Sequence, residues 1–274
     1  MSAAATPALR SQVQTALALR AAGRCQDALD ALSTPGEYSS DYYTLRGEIQ
    51  VAMGRFQEAA GSYFTVVASE PENMFAQFNL AVCLQHLSRW TEAALAFQRV
   101  LQVDAHRDEA RLGLGACLLH LNRAEEALAS FDGCWSDAAR TRALFGKAVA
   151  LQFLRQYDEA EAAYQRLLQS EEKSEEVLSN LLALSAEIQD WDAVQHYAAR
   201  LLEISPQSLS ALQGLATVAL EQRQFETAAH YCGRIVELAP ECVEAWHNLR
   251  FATGRVMSAL DRPNTTLPPS FGRK

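Results

Sequence analysis

The side chains from which this 274-residue chain could build chemistry are spaced in ways that decide against most of it. His86 and His120 are 34 residues apart and read as equivalent positions of neighbouring helices. Two imidazoles do not complete a metal site, which takes three or four ligands, and the next acid in that series is Glu187. The six cysteines, Cys25, Cys83, Cys117, Cys134, Cys232 and Cys242, include no C-x-x-C pair, the spacing of thiolate frameworks. Ser, His and Asp all occur, but none lies at a turn that would bare a nucleophile beside a base. No glycine-rich loop could cradle a phosphate. The sequence therefore assigns no catalytic residue, no metal and no cofactor. The histidines read as the polar rim of something else.

Composition narrows the partners. The net charge of −9 argues against a phosphate backbone, which needs clustered Lys and Arg, and against docking on anionic lipid. No apolar run approaches the length that spans a membrane, and "MSAAATPALRSQ" lacks the apolar centre of a secretory signal. The cytoplasm is the expected compartment, with the cysteines reduced and packed as small hydrophobes.

What positions these residues is a repeated phrase. "RFQEAAGSYFTVVASEP" (55–71), "RWTEAALAFQRVLQVDA" (89–105), "QYDEAEAAYQRLLQSEE" (156–172), "DWDAVQHYAARLLEISP" (190–206) and "QFETAAHYCGRIVELAP" (224–240) are copies, and "RAEEALASFDGCWSDAA" (123–139) is a weaker one. Aligned on Ala59, Ala93, Ala127, Ala160, Val194 and Ala228, they step by 34, 34, 33, 34 and 34 residues, and Ala28 opens a first, weaker copy. Phe56 and Tyr63, Trp90 and Phe97, and Tyr157 and Tyr164 are each two helical turns apart, on one face. Pro71, Pro206 and Pro240 end the phrase, where a helix must stop. A second helix lies upstream of each, with Gly47, Ala81, Gly115, Ala148 or Ala216 at the crossing; Leu182 breaks the pattern and predicts a looser sixth pair. Gly23, Gly54 and Asn122 fall between helices, where a left-handed residue is often needed. "GCWSDAARTRA" (133–143) is one residue short, so an irregular junction is expected there. Trp135 within it fits either a core or a partner contact.

The 34-residue step, the small–small crossing, the aromatics and the terminal proline resemble the tetratricopeptide repeat family over residues 8 to 260. The resemblance implies an all-α fold, a right-handed α-solenoid of antiparallel helix pairs, with about seven repeats plus a C-terminal capping helix. No repeat buries its apolar face alone, so neighbours must stack. The expected organisation is a flexible N-terminus (1–7), the solenoid (8–260) closing in a capping helix (241–260), and a flexible tail (261–274) with three prolines.

One helix carries the functional clue. In "FAQFNLAVCLQHL" (75–87), Leu80, Leu84 and Leu87 fall on one side, and Phe75, Phe78 and Val82 on the other. A surface helix needs only one apolar stripe. The resemblance implies that the first helix of each pair lines the concave surface. The Phe78 position then reads Thr44, Phe78, Leu112, Phe145, Ser179, Gln213, His247, and the Val82 position Glu48, Val82, Ala116, Val149, Ala183, Thr217, Phe251. The His86 position reads Ala52, His86, His120, Phe153, Glu187, Glu221, Arg255. The expected groove is apolar at Phe75, Phe78, Val82, His86, Leu112, Leu119, His120, Phe145, Val149 and Phe153, and acidic at Glu176, Glu187, Glu221 and Glu244. It suits an amphipathic segment of a protein partner with apolar anchors and a basic end. The Lys, Arg and Asn clamp with which many chaperone-binding members of the family hold a terminal carboxylate is not matched, because the early rungs carry no cation.

The function expected is a non-enzymatic interaction module, an adaptor or assembly chaperone, with neither nucleic acid nor membrane insertion involved. Three alternatives stand beside it. Phe78 could simply pack on Leu112; the chain's own tail, through Leu267 and Phe271, could fill the groove; or another copy could, making a self-assembling scaffold and a homo-oligomer.

Overall fold

A computed structural model describes residues 7–32, 39–169 and 174–260. Among them run fifteen α-helices and no strand: α1 (Pro7–Ala21), α2 (Cys25–Ala31), α3 (Ser40–Ala52), α4 (Phe56–Ser69), α5 (Met74–His86), α6 (Trp90–Val103), α7 (Asp108–His120), α8 (Ala124–Asp132), α9 (Asp137–Phe153), α10 (Tyr157–Gln169), α11 (Ser174–Glu187), α12 (Trp191–Ile204), α13 (Leu209–Glu221), α14 (Phe225–Leu238) and α15 (Val243–Leu260). Pro7 belongs to α1 rather than to the N-terminal segment, because a proline is well suited to the first position of a helix. Residues 1–6 and the expected tail, 261–274, lie outside the described residues. The helices form two units, residues 1–163 and 164–274, with the boundary inside α10. Within the first, α1/α2, α3/α4, α5/α6 and α7/α8 pack as hairpins, and α7 also meets α9; within the second, α11/α12 and α13/α14 do the same and α15 packs on α14.

The hairpins share one turn. Gly23, Gly54, Ser88, Asn122, Arg155, Gln189 and Arg223 all have φ between 56° and 75°. The residue after each closes a six-to-one hydrogen bond to the helix before it, as in Arg89 N to Leu84 O at 2.9 Å and Asp190 N to Ser185 O at 2.9 Å. Gly23, Gly54 and Asn122 occupy the turns as expected. The other four are side chains held in a left-handed conformation that costs roughly 1–2 kcal/mol for an L-residue. Gln189→Gly is therefore expected to stabilise the second unit by about 0.5–1 kcal/mol, after the extra entropy of the unfolded glycine is subtracted. Denaturant midpoints of the two proteins check this; an unchanged or lower midpoint contradicts it.

Inside each pair the aligned small residues do what their spacing implies. Ala28, Ala59, Ala93, Ala127, Ala160, Val194 and Ala228 are all fully buried. At the crossings the aromatic of one helix lies on a bare backbone. A Cβ on Gly47 would sit 2.8 Å from the Tyr63 ring, and one on Gly113 2.4 Å from Phe97. Phe131 is shared: added Cβ atoms at Gly115 and at Gly146 would lie 2.6 Å and 2.5 Å from its ring. The fourth hairpin is irregular. α8 has 9 residues where α4 and α6 have 14, and α9 begins early and runs for 17. Leu182 does not loosen the sixth pair. It is buried, and Gly214 on the next first helix leaves the space its side chain occupies, a Cβ there falling 3.1 Å from Leu182 Cδ1.

Candidate peptide-binding surface

In the first unit, α5 turns two opposite faces outward from its axis. Leu80 and Leu84 are buried, whereas Phe75 is 44% exposed and Phe78 and Val82 are half-buried. Phe78 packs against the core of the first unit, to which Leu112 belongs. Its ring meets Phe97 edge-on, with centroids 5.8 Å apart, and the Arg107 guanidinium lies over it at 4.3 Å. That cation–π contact was invisible in the sequence, because Arg107 lies in the turn before α7 and not on the repeat's own rung.

Leu112 corrects the expected rung. It is 8% exposed and belongs to the core of the first unit, so its side chain strengthens the fold rather than lining an open surface. Leu119 is half-buried against the same core. The histidines differ from expectation too. His86 lies flat on Phe56 at 4.0 Å between ring centroids, and His120 flat on Trp90 at 3.9 Å, each pair 8° from parallel. Each imidazole is thus a lid on the aromatic that opens the preceding repeat's second helix. The signal was present in the sequence as the constant spacing from Phe56 to His86 and from Trp90 to His120. Among the described residues, no three or more His, Cys, Asp or Glu side chains are grouped to hold a metal. On α9, Phe145 and Val149 are half-buried and Phe153 is 57% exposed.

The second unit carries the acids. Glu176, Glu187, Glu221 and Glu244 are exposed. Tyr164 is fully buried, and that burial, with the Glu176 charge adding to it, pushes its phenol pKa up. Glu244 borders a small cleft of about 150 Å³ together with Gln213, Thr217, Cys242 and Asn248. Arg255 lies 5.2 Å over the Phe251 ring, and Phe251 is half exposed.

The thiols are placed for packing. Cys83, Cys117 and Cys232 are buried, and burial raises the pKa of Cys83 and of Cys117 to about 11. Cys25, Cys134 and Cys242 are half-buried. Trp135 is 72% exposed, yet its backbone is anchored. Asp108, 5% exposed, accepts hydrogen bonds from Trp135 N at 3.1 Å and Ser136 N at 2.7 Å. Among the described residues no helix is long and apolar enough to cross a membrane.

Comparison with known proteins agrees with this architecture. Residues 44–106 and 86–139 match the tetratricopeptide repeat, and residues 123–232 match the coatomer epsilon subunit. No curated protein sequence matches the chain. Among solved structures, a tetratricopeptide repeat protein from Parabacteroides merdae is similar with a TM-score of 0.67 and 17% identity, over 90% of this chain and 100% of that one. PilW, a type IV pilus biogenesis factor, is similar with a TM-score of 0.66 and 18% identity, over 80% of this chain and 100% of that one. PilF from Pseudomonas aeruginosa gives 0.62 and 17%, over 79% and 97%. At such identities the likeness is one of fold. Residues 44–139 are thus matched as tetratricopeptide repeats, and the hairpins of the chain share the fold of solved tetratricopeptide repeat proteins.

Proposed function

We propose that the chain is a non-enzymatic protein-interaction module of the cytoplasm that holds an amphipathic segment of a partner, as an adaptor or assembly chaperone. The observation that carries this is the outward face of α5 and α9. Phe75 and Phe153 stay about half exposed beside half-buried Phe78, Val82, Phe145 and Val149, on elements whose opposite faces already hold the core. Apolar side chains in such a row serve as anchor sites for a partner's own periodic apolar residues. The acids of the second unit suit a partner that also carries Lys or Arg. The likeness in fold to PilW, a type IV pilus biogenesis factor, is in keeping with an assembly role.

The test uses the two exposed rings. Phe75→Ser with Phe153→Ser removes anchors that the core does not need, so helix content should stay as it is. Quantitative pull-down from native lysate should lose one or a few specific partners, with affinity falling by about 2 kcal/mol or more, the loss expected for a buried aromatic anchor. An unchanged set of captured proteins sinks the reading. Particle growth with concentration that the double variant abolishes would instead seat another copy on this face.

A further inference from the structure

The opposite face of the same region carries a second recognition surface. Between α4 and α6, over the floor made by α5, run two joined clefts of about 420 and 660 Å³. They share a waist of three side chains, Phe64, Gln77 and Arg99. The first lobe is mainly apolar, with Leu80 and Leu84 below, Leu95 53% exposed on one wall, and Gly61 leaving the other wall open. The second is walled by Val67, Pro71 and Val103, with Glu72 and Gln102 on its border. Phe64, 62% exposed, stands between them.

Gln77 at the waist is the telling residue. It is 3% exposed and lines both lobes. Its Nε2 donates to Pro71 O at 3.3 Å. Its Oε1 is buried and has no hydrogen-bond partner. Buried acceptors in folded proteins are nearly always paired, so an orphan at the floor of a cleft marks where a donor belongs. The charges complete the pattern. Arg89 and Glu92 are paired with each other at 2.6 Å, whereas Arg99 has no acidic partner among the described residues. Glu72 is exposed at the far border.

We infer that this cleft binds a peptide of a partner protein that presents two large apolar side chains on either side of an acidic one. The apolar side chains fill the two lobes, the carboxylate meets Arg99, and a peptide N–H reaches Gln77 Oε1 after a small turn of its amide. The site is independent of the α5–α9 face: on α5, Gln77, Leu80 and Leu84 lie about half a turn from Phe75, Phe78 and Val82. A fatty acid would supply a carboxylate and an apolar chain but no donor for Gln77, which is why a peptide is the occupant.

A random-peptide phage library selected on the full chain tests this. Enriched peptides should carry Asp or Glu between large apolar residues. Gly61→Trp should weaken them by about tenfold or more by filling the first lobe, with the thermal midpoint unchanged because a side chain at Gly61 enters open space. Arg99→Glu should switch the favoured central residue from acid to Lys. Lauric acid should fail to compete. The inference is overturned by a selection that enriches nothing, by peptides indifferent to Gly61→Trp or Arg99→Glu, by lauric acid competing as well as the peptides, or by peptides lost instead with Phe75→Ser and Phe153→Ser.

Discussion

Phe131→Ala is expected to be the most damaging single substitution, costing about 3–5 kcal/mol, the range for emptying a buried phenylalanine site. The ring is 4% exposed and is the contact surface for two bare backbones, Gly115 on α7 and Gly146 on α9. Removing it leaves both helices facing a void, and α8, with only 9 residues, has little else with which to close the gap. The two glycines make the expectation specific. In the wild type, Gly146→Ala drives a methyl into the ring and should destabilise by about 1–3 kcal/mol. In the Phe131→Ala background the same change partly fills the void and gains up to about 1 kcal/mol of helix propensity, so it should stabilise. Denaturant unfolding of the four proteins gives the coupling energy directly. Additive effects would mean that the ring is not what keeps position 146 bare.

The second large effect belongs to Asp108. Its carboxylate accepts hydrogen bonds from two backbone N–H groups, of Trp135 and Ser136, at the irregular start of α9. Asp108→Ala leaves both donors without it and should cost about 2 kcal/mol, the lower end of the cost of an unsatisfied donor taken twice. Asp108→Asn keeps one acceptor oxygen and should cost less. Titration gives a second signature. Burial alone would raise the Asp108 pKa, but the hydrogen bonds from Ser136 and Trp135, together with the Arg111 charge, outweigh it and hold the group below the usual carboxylate value. A folded value below the unfolded one contributes stability that is complete above about pH 4 and is lost as pH falls through the folded value. Stability between about pH 4 and pH 2 should thus fall more steeply in the wild type than in Asp108→Asn. Parallel acid limbs would show that Asp108 is not the group responsible.

Much of the fold was legible because helix packing is periodic. Ala59, Ala93, Ala127, Ala160 and Ala228 could be placed at crossings from spacing alone, and each is fully buried. Conformation without a matching residue type was not legible: Ser88, Arg155, Gln189 and Arg223 adopt the left-handed turn that only Gly23, Gly54 and Asn122 advertised. Compensation across repeats was hidden as well. Leu182 reads as a misfit until Gly214, 32 residues on, is seen to make room for it. The candidate surface was legible as a stripe but not as depth. Phe75 and Leu112 share the same hydrophobic character in sequence, yet one stays 44% exposed while the other is 8% exposed, because depth depends on which neighbouring helix covers each. The α4–α6 cleft left no trace in the repeat pattern, since Gly61, Phe64 and Leu95 vary freely among its copies.

The shared hairpin turn also bears on how fast and in what order the chain takes shape. Each six-to-one hydrogen bond closes between residues five positions apart, as from Arg123 N to Leu118 O, and packing joins helices that follow closely in sequence. Such topologies have low contact order and belong to the group that folds in microseconds to milliseconds. On the ribosome, a hairpin of about 34 residues takes a few seconds to synthesise at 5–20 residues per second. Each pair therefore has time to close before the next emerges, and its apolar face then waits only for the neighbour already being made.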